Sequence, residues 1–255
     1  MAMLEHLNRH EQQRIAEFRA HPLLLQLDAM PWQQLLAILI QRRHLSLAIV
    51  NVYEFVIDAL PQEDIKASVR LILHEEFPRN TRGIPLPSHR ELLFQDLLNL
   101  GASREQILTS AESPRTRAVR RQSQHQLAQC LGDPHGTVGL VSFLRFWAEV
   151  LVAVEYACLW PRLSERLSAG HEAQRQRSEF FYFHMIHDSR QSDVGEEKLL
   201  GGLTHAQELA LHLSRLIDTP AALQQAIQQV DRACALKTRF YDQFLPGDGA
   251  LAALG

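Results

Sequence analysis

The stretch "FFYFHMIHDSRQSDV", Phe180 to Val194, puts His184, His187, Asp188 and Gln191 at positions i, i+3, i+4 and i+7. On a helix those positions form one stripe. Imidazole and carboxylate are donors that suit iron, manganese or zinc, so the stripe is a candidate part of a metal site. The polar run "HDSRQSDVGEEK" fits a solvated helix face as well. Solvation explains His184 poorly, because it directly follows four aromatic residues. A helix that buries those rings buries His184 with them, and a buried imidazole needs partners.

Two other segments carry ionisable residues where apolar ones are expected. Glu155 lies in "VLVAVEYACLW", apolar on every side of a helix. An unpartnered carboxylate there costs several kcal/mol on an order-of-magnitude scale, so it is either a metal or catalytic group or a structural one. The structural alternative is pairing with an arginine such as Arg145 or a hydrogen bond from a tyrosine. Glu149, six residues earlier on the same helix, is a competing carboxylate on a different face. In "LILHEEFP" and "PSHRELLFQDLLNLG", Glu75 and Glu76 end one helix and His89 begins the next. A Pro-rich loop between them can fold back and bring carboxylate and imidazole together, although a surface Glu at a helix end and a His in a first turn are also common.

The elements that must position these groups are helical. Apolar residues recur at helical spacing almost everywhere, and no segment alternates with a period of two, so the chain is expected to be all-α. Helices are predicted over 4–20, 32–59, 62–77, 88–100, 115–131, 137–168, 177–200, 204–217 and 220–245. Pro31, Pro61, Pro114 and Pro220 fall near first turns, and Ser88 with Glu91 makes a capping box. Gly101 and Gly170 fit helix C-termini. "FPRNTRGIPLPS" and "LGDPHGT" are loops. No repeat or composition shift divides the chain, so one domain over 1–245 is expected, with 246–255 as a C-terminal tail.

Twenty-six Lys and Arg against 29 Asp and Glu give a formal net charge of -3, which implies no global attraction to nucleic acid or anionic membrane. A small-molecule substrate is the better expectation, with a homodimer left open. Three widely spaced cysteines and an N-terminus without the apolar core of a signal peptide suggest a cytoplasmic protein. The most apolar run is interrupted by Arg145, Glu149 and Glu155, which argues for a buried helix rather than a membrane span. There is no Gly-rich phosphate loop, "GxSxG" or "HExxH", which weakens nucleotide-binding, hydrolase and zinc-protease readings. The paired "ExxH" of four-helix carboxylate bundles is absent too.

The order "HEEFP", "SHRELLFQDLLNLG", glutamate helix, "FFxxHxxxD" resembles the heme-oxygenase-like superfamily, in particular the non-heme diiron oxidases and oxygenases related to the Chlamydia protein associating with death domains. The thiaminase II and pyrroloquinoline quinone synthase families share that fold. The likeness runs from about Trp32 to Leu245. It implies a heme-oxygenase-like helical bundle with Glu75, His89, Glu155, His184 and Asp188 as metal ligands. Gln191 stands where the diiron motif has its last His, which leaves one metal position weakly held through Gln191, lost, or completed by His187 instead. A competing register lays Tyr182, Phe183, Asp193 and Val194 on the quinone synthase pattern, with Glu196 in place of its His.

The resemblance implies an enzyme, an iron-dependent oxidoreductase with Fe as cofactor, two ions in the diiron group, and O2 as co-substrate. It would oxidise a small organic molecule, an amine, amino acid or fatty acid, with Phe146, Trp147, Tyr156 and Phe183 as candidate pocket walls. The alternatives are a metal-free enzyme of the thiaminase II or quinone synthase kind acting on a heteroaromatic substrate, and a non-catalytic interaction module whose polar core fixes helix register.

Overall fold

The structure, a computed structural model, describes residues 2–167, 178, 180–188 and 203–246. Among these there is no strand, only an isolated bridge between Arg79 and Pro85. The chain opens with α1 (Ala2–Arg19) and a short α2 (Pro22–Leu25), followed by one 3-10 turn over Leu27–Ala29. Next come α3 (Trp32–Leu47), α4 (Ile49–Ala59), α5 (Glu63–Glu75), α6 (His89–Asn99), α7 (Arg104–Thr109) and α8 (Pro114–Gln129). The long apolar segment is α9 (Gly136–Leu144), a π-helical turn (Arg145–Val150) and α10 (Leu151–Leu167). Then follow α11 (Phe181–His187), α12 (His205–Leu216) and α13 (Pro220–Asp242).

Local chemistry sets the starts of these helices. Ser88, Ser103 and Thr204 each close a capping box with the residue three on, and Ser113 and Thr219 cap helices that begin with Pro114 and Pro220. Gly101, at φ +99, takes the left-handed backbone that ends α6. Two differences from the sequence expectation have simple causes. The predicted helix 32–59 is broken at Ala48, whose N–H bonds back to Leu45 and Ser46, and no Gly or Pro marks that break. Helix α7 was not expected, being too short for apolar periodicity, although Ser103 and Gln106 signal its start.

The α9–π–α10 rod is the axis of the bundle. Its apolarity is explained by burial, since α1, α4, α6, α11, α12 and α13 all pack on it. Helix α13 in turn lies against α1, α8 and α9, and α12 bridges α5 to the rod. A buried ion pair fixes this register: Arg145 reaches Glu11 of α1 with one nitrogen and donates from Nε to the Ala206 carbonyl of α12 at 2.8 Å. Arg145 is therefore not the partner of Glu155.

The rod begins pressed against the end of α8. A Cβ on Gly136 would stand 2.2 Å from the Cys130 carbonyl oxygen, which is backbone and cannot swing away. Gly136→Ala is therefore expected to destabilise the protein by about 1–3 kcal/mol, the range for overpacking, measured by urea unfolding. An unchanged midpoint would show that α8 and α9 separate freely here.

Candidate metal centre

Five elements converge beside the π turn at the middle of the rod. The π turn carries Glu149, the end of α5 carries Glu75 and Glu76, the start of α6 carries His89, α11 carries His184, His187 and Asp188, and the start of α12 carries His205. Asp96 is the anchor for α11. Its Oδ2 accepts from Ser178 Oγ at 2.8 Å and from the backbone N–H groups of Phe180 and Phe181 at 3.3 Å each, while Ser178 Oγ also accepts from Tyr182 N–H at 2.9 Å. This carboxylate at a helix N-terminus holds α11 to α6, one side of which also presents His89. The His89 and His184 rings meet at 4.6 Å between centroids.

Three overlapping groups result, each with its ligand atoms within 4.8 Å of one another: Glu76, His89 and His184; Glu149, Asp188 and His205; and Glu75, His187 and His205. His89 Nδ1 is 3.2 Å from Glu76, His205 Nε2 is 3.2 Å from Glu75, and His187 Nδ1 is 3.5 Å from Asp188. None of these three buried nitrogens makes an aligned hydrogen bond among the described residues. His184 is oriented differently. Its Nδ1 donates to the Phe180 carbonyl at 2.7 Å, which leaves Nε2 as the unprotonated donor, the usual way a ligating imidazole is held. Tyr53 O–H donates to Glu149, and the Phe183 ring stacks on His187 at 4.7 Å.

The electrostatics follow from burial in the presence of many carboxylates. Burial pushes the His184 imidazole toward its neutral form. Burial opposes charging of His205 as well, but the surrounding carboxylates of Asp188, Glu149 and Glu75 outweigh it and raise its pKa to about 12. Burial raises the Glu149 carboxyl, with Asp188 adding repulsion and His205 opposing. For Asp188 burial is overcome by His184, His187 and His205, and its carboxyl stays well below the ordinary range. His89 is raised because Glu76, with Asp188 and Glu75 beyond it, overrides burial. Such a cluster of carboxylates and imidazoles is short of cations.

The sequence-predicted residues divide. Glu75, His89, His184, His187 and Asp188 are brought together. Gln191, with Asp193, Val194 and Glu196 of the competing register, lies outside the described residues. Glu155 is not among them, and the expectation of a metal role for it is corrected. It points to the other side of the rod, where Arg42 Nε contacts both its oxygens at 2.8 Å, Lys237 Nζ donates at 2.7 Å and Tyr241 O–H donates as well. Although burial favours its protonated form, these cations hold its pKa below the ordinary value. Glu149 is the buried carboxylate of the rod that stands in the cluster. The sequence reading also missed Glu76 as a separate donor and His205, whose signal was a histidine one residue after a capping threonine.

Next to the cluster is a cavity of about 320 Å3. Trp147 and Tyr156 line it, together with Tyr53 and Phe180. Phe146 does not; it is fully buried core, turned away on the adjoining side of the rod. Phe183 packs among the imidazoles instead of the cavity wall.

No protein-family model and no curated protein matches the sequence. Among solved structures, the chain is similar to a domain of unknown function with a heme oxygenase-like fold from Shewanella denitrificans OS217, at 17% identity and a TM-score of 0.68 over 99% of this chain and 96% of that one. It is also similar to a CADD-like protein of unknown function from Nostoc punctiforme PCC 73102, at 14% identity and a TM-score of 0.64 over 100% of both chains. The chain therefore has the heme-oxygenase-like helical fold.

Two outcomes test the division of the carboxylates. Glu155→Ala leaves two buried cations without their carboxylate and is expected to cost about 3–5 kcal/mol, read by chemical denaturation, with metal uptake unchanged in the folded fraction. Because the Glu155 pKa is depressed on folding, its contribution is present above the unfolded carboxylate value and is lost as pH falls through the folded value. The parent's acid unfolding curve should therefore be steeper below about pH 4.3, the unperturbed Glu value, than that of Glu155→Gln. Asp96→Ala should cost about 1–2 kcal/mol, as loss of a helix cap does, and should also weaken metal uptake by displacing His184.

Proposed function

We propose that the protein is a non-heme iron oxidoreductase that binds two ferrous ions in this cluster and uses O2 to oxidise a small organic molecule held in the adjoining cavity. The observation that carries the reading is the set of buried imidazole nitrogens of His89, His187 and His205, which face carboxylate oxygens at 3.2–3.5 Å without hydrogen bonds. Buried donors left without hydrogen bonds are rare, and here they converge with oxygen ligands of opposite charge. The likeness of fold to a CADD-like protein agrees with the diiron group that the sequence resembles.

In this reading Glu76, His89 and His184 hold one ion, and Glu149, Asp188 and His205 hold the other, with Glu75 and His187 adjoining the second. Iron supplies the redox chemistry toward O2 when bound. The protein's own residues do the rest. His184 is kept in one tautomer by the Phe180 carbonyl, and Tyr53 restrains Glu149 by donating to it. Trp147, Tyr156 and Phe180 keep water from the reacting side of the cavity. Tyr53 also hydrogen-bonds the cluster directly, so it is placed to hold a proton beside Glu149; burial and the Glu149 charge keep that phenol protonated.

Anaerobic loading with Fe(II) is expected to give two irons per chain, counted by elemental analysis and seen as ferrous ions by Mössbauer spectroscopy. Glu149→Ala, His184→Ala, Asp188→Ala and His205→Ala should each lose about one equivalent, whereas Glu155→Gln keeps both. A parent protein that retains no iron would sink the proposal and leave the metal-free alternatives. Loss of iron in Glu155→Gln but not in Glu149→Ala would mean the ligand helix is assigned to the wrong face.

A further inference from the structure

The cavity has a second charged pole that the metal cluster does not use. Arg42 and Lys237 both line it, although they are only 4% and 1% exposed. Their shared counter-ion, Glu155, stands behind them and does not line the cavity. Two cations against one carboxylate leave this pole with one positive charge in excess. Tyr241, which also donates to Glu155, adds no charge, since burial and Glu155 keep its phenol protonated.

The hydrogen-bond inventory shows that excess in atoms. Lys237 Nζ can donate three hydrogen bonds, and among the described residues it makes one, to Glu155; its other side faces the Trp147 ring at 5.0 Å. Arg42 uses Nε on Glu155 and Nη1 on Ser46 Oγ at 2.8 Å, and its Nη2 has no partner among the described residues. Donors that line a cavity without a protein acceptor are free to meet an acceptor carried by a ligand. Burial, with Arg42 nearby, already lowers the Lys237 pKa to about 8 against the pull of Glu155, so the intramolecular pairing is incomplete compensation.

Tyr156 connects the two poles. Its ring centroid is 5.4 Å from the Arg42 guanidinium and 6.3 Å from the His184 ring. A molecule anchored at Lys237 and Arg42 thus reaches the His184 side by passing along one aromatic ring, a span of a few carbon atoms.

We infer that Lys237 and Arg42 form the docking pole for the carboxylate of the substrate, so that the cavity takes a small organic acid, acid end at this pole and its carbon skeleton directed along Tyr156 toward His184 and Asp188. A single excess charge matches a monoanionic carboxylate, and the apolar walls of Trp147 and Tyr156 match a hydrocarbon body. This rests on the cavity being the substrate chamber of the proposed oxidoreductase and narrows its substrate class; a primary amine without an acid group is disfavoured.

The test uses metal-free full-length protein, so that no carboxylate can bind through iron. Hexanoate, hexan-1-ol and hexylamine are titrated while tryptophan fluorescence is followed, with Trp147→Phe identifying the signal from the cavity. Hexanoate is expected to bind at least tenfold more tightly than hexan-1-ol or hexylamine. Lys237→Met leaves Arg42 and Glu155 as a balanced pair, so it should fold, with circular dichroism and iron stoichiometry as in the parent. It should bind hexanoate at least tenfold more weakly and hexan-1-ol unchanged. Equal binding of the three probes, a preference for hexylamine, or parent-like hexanoate binding by Lys237→Met would each overturn the inference. Iron stoichiometry is read separately, so hexanoate selectivity without iron uptake sinks the metal reading alone, and iron uptake without hexanoate selectivity sinks this one alone.

Discussion

A carboxylate buried in a helical core must have its charge answered by a neighbour, and this bundle contains two on one rod. Glu149 and Glu155 are 1% and 0% exposed. Each recruits different elements to answer it. Glu155 draws Arg42 from α3 and Lys237 and Tyr241 from α13, which ties those helices to α10. Glu149 draws Tyr53 from α4 and His205 from α12. Much of the helix arrangement around the rod can be traced to these two demands, with the Arg145 and Glu11 pair as a third. Buried pairs of this kind contribute little net stability, but they penalise alternative packings that would leave a charge alone.

The two answers differ in kind, and the difference is chemical. Around Glu155 the partners are a guanidinium, an ammonium and a phenol, all at hydrogen-bond distance, so the carboxylate is settled. Around Glu149 the partners are a phenol, an imidazole and a second carboxylate, Asp188, and the settlement depends on where protons sit. The π turn that carries Glu149 matters here. An extra residue in a helical turn rotates everything after it relative to everything before it, and such turns are frequent at functional sites. The rod thus shows Glu149 to α5, α11 and α12 while Glu155 looks toward α3 and α13.

The fold class was legible in the sequence because apolar spacing, capping boxes and N1 prolines all agree on helices, and consistency across levels is what makes such a reading safe. The His184, Asp188 stripe was legible too, from a histidine that follows buried aromatics. Glu155 was preferred to Glu149, and the structure puts Glu149 in the carboxylate–imidazole cluster and Glu155 against Arg42 and Lys237. Apolar neighbours predicted burial correctly for Glu155, but burial cannot say whether a partner is an arginine or an open ligand site, and Arg42 and Lys237 are 113 residues before and 82 residues after it in the chain. The π turn has no sequence signature, so the relative rotation of the two glutamates could not be derived from a regular 3.6-residue repeat. His205 was hidden for the same reason as Lys237, because its partners are distant in sequence.

The free cluster also explains how so many acids are tolerated without metal. His205 lies among Asp188, Glu149 and Glu75, and the proton it keeps up to a pKa of about 12 does the work of a cation. His89 is likewise held above its ordinary pKa by Glu76. In the folded chain protons therefore balance part of the carboxylate charge, and they do so on the imidazoles that would have to be neutral to act as ligands. Any divalent ion entering here must displace at least the His205 proton, so binding is coupled to proton release and strengthens as pH rises. On the Glu155 side Arg42 does not give up its proton, and Lys237, although burial lowers its pKa to about 8, still carries its own at neutral pH. The cavity thus runs between a cluster whose charge depends on where protons sit and a basic pole that stays cationic at neutral pH.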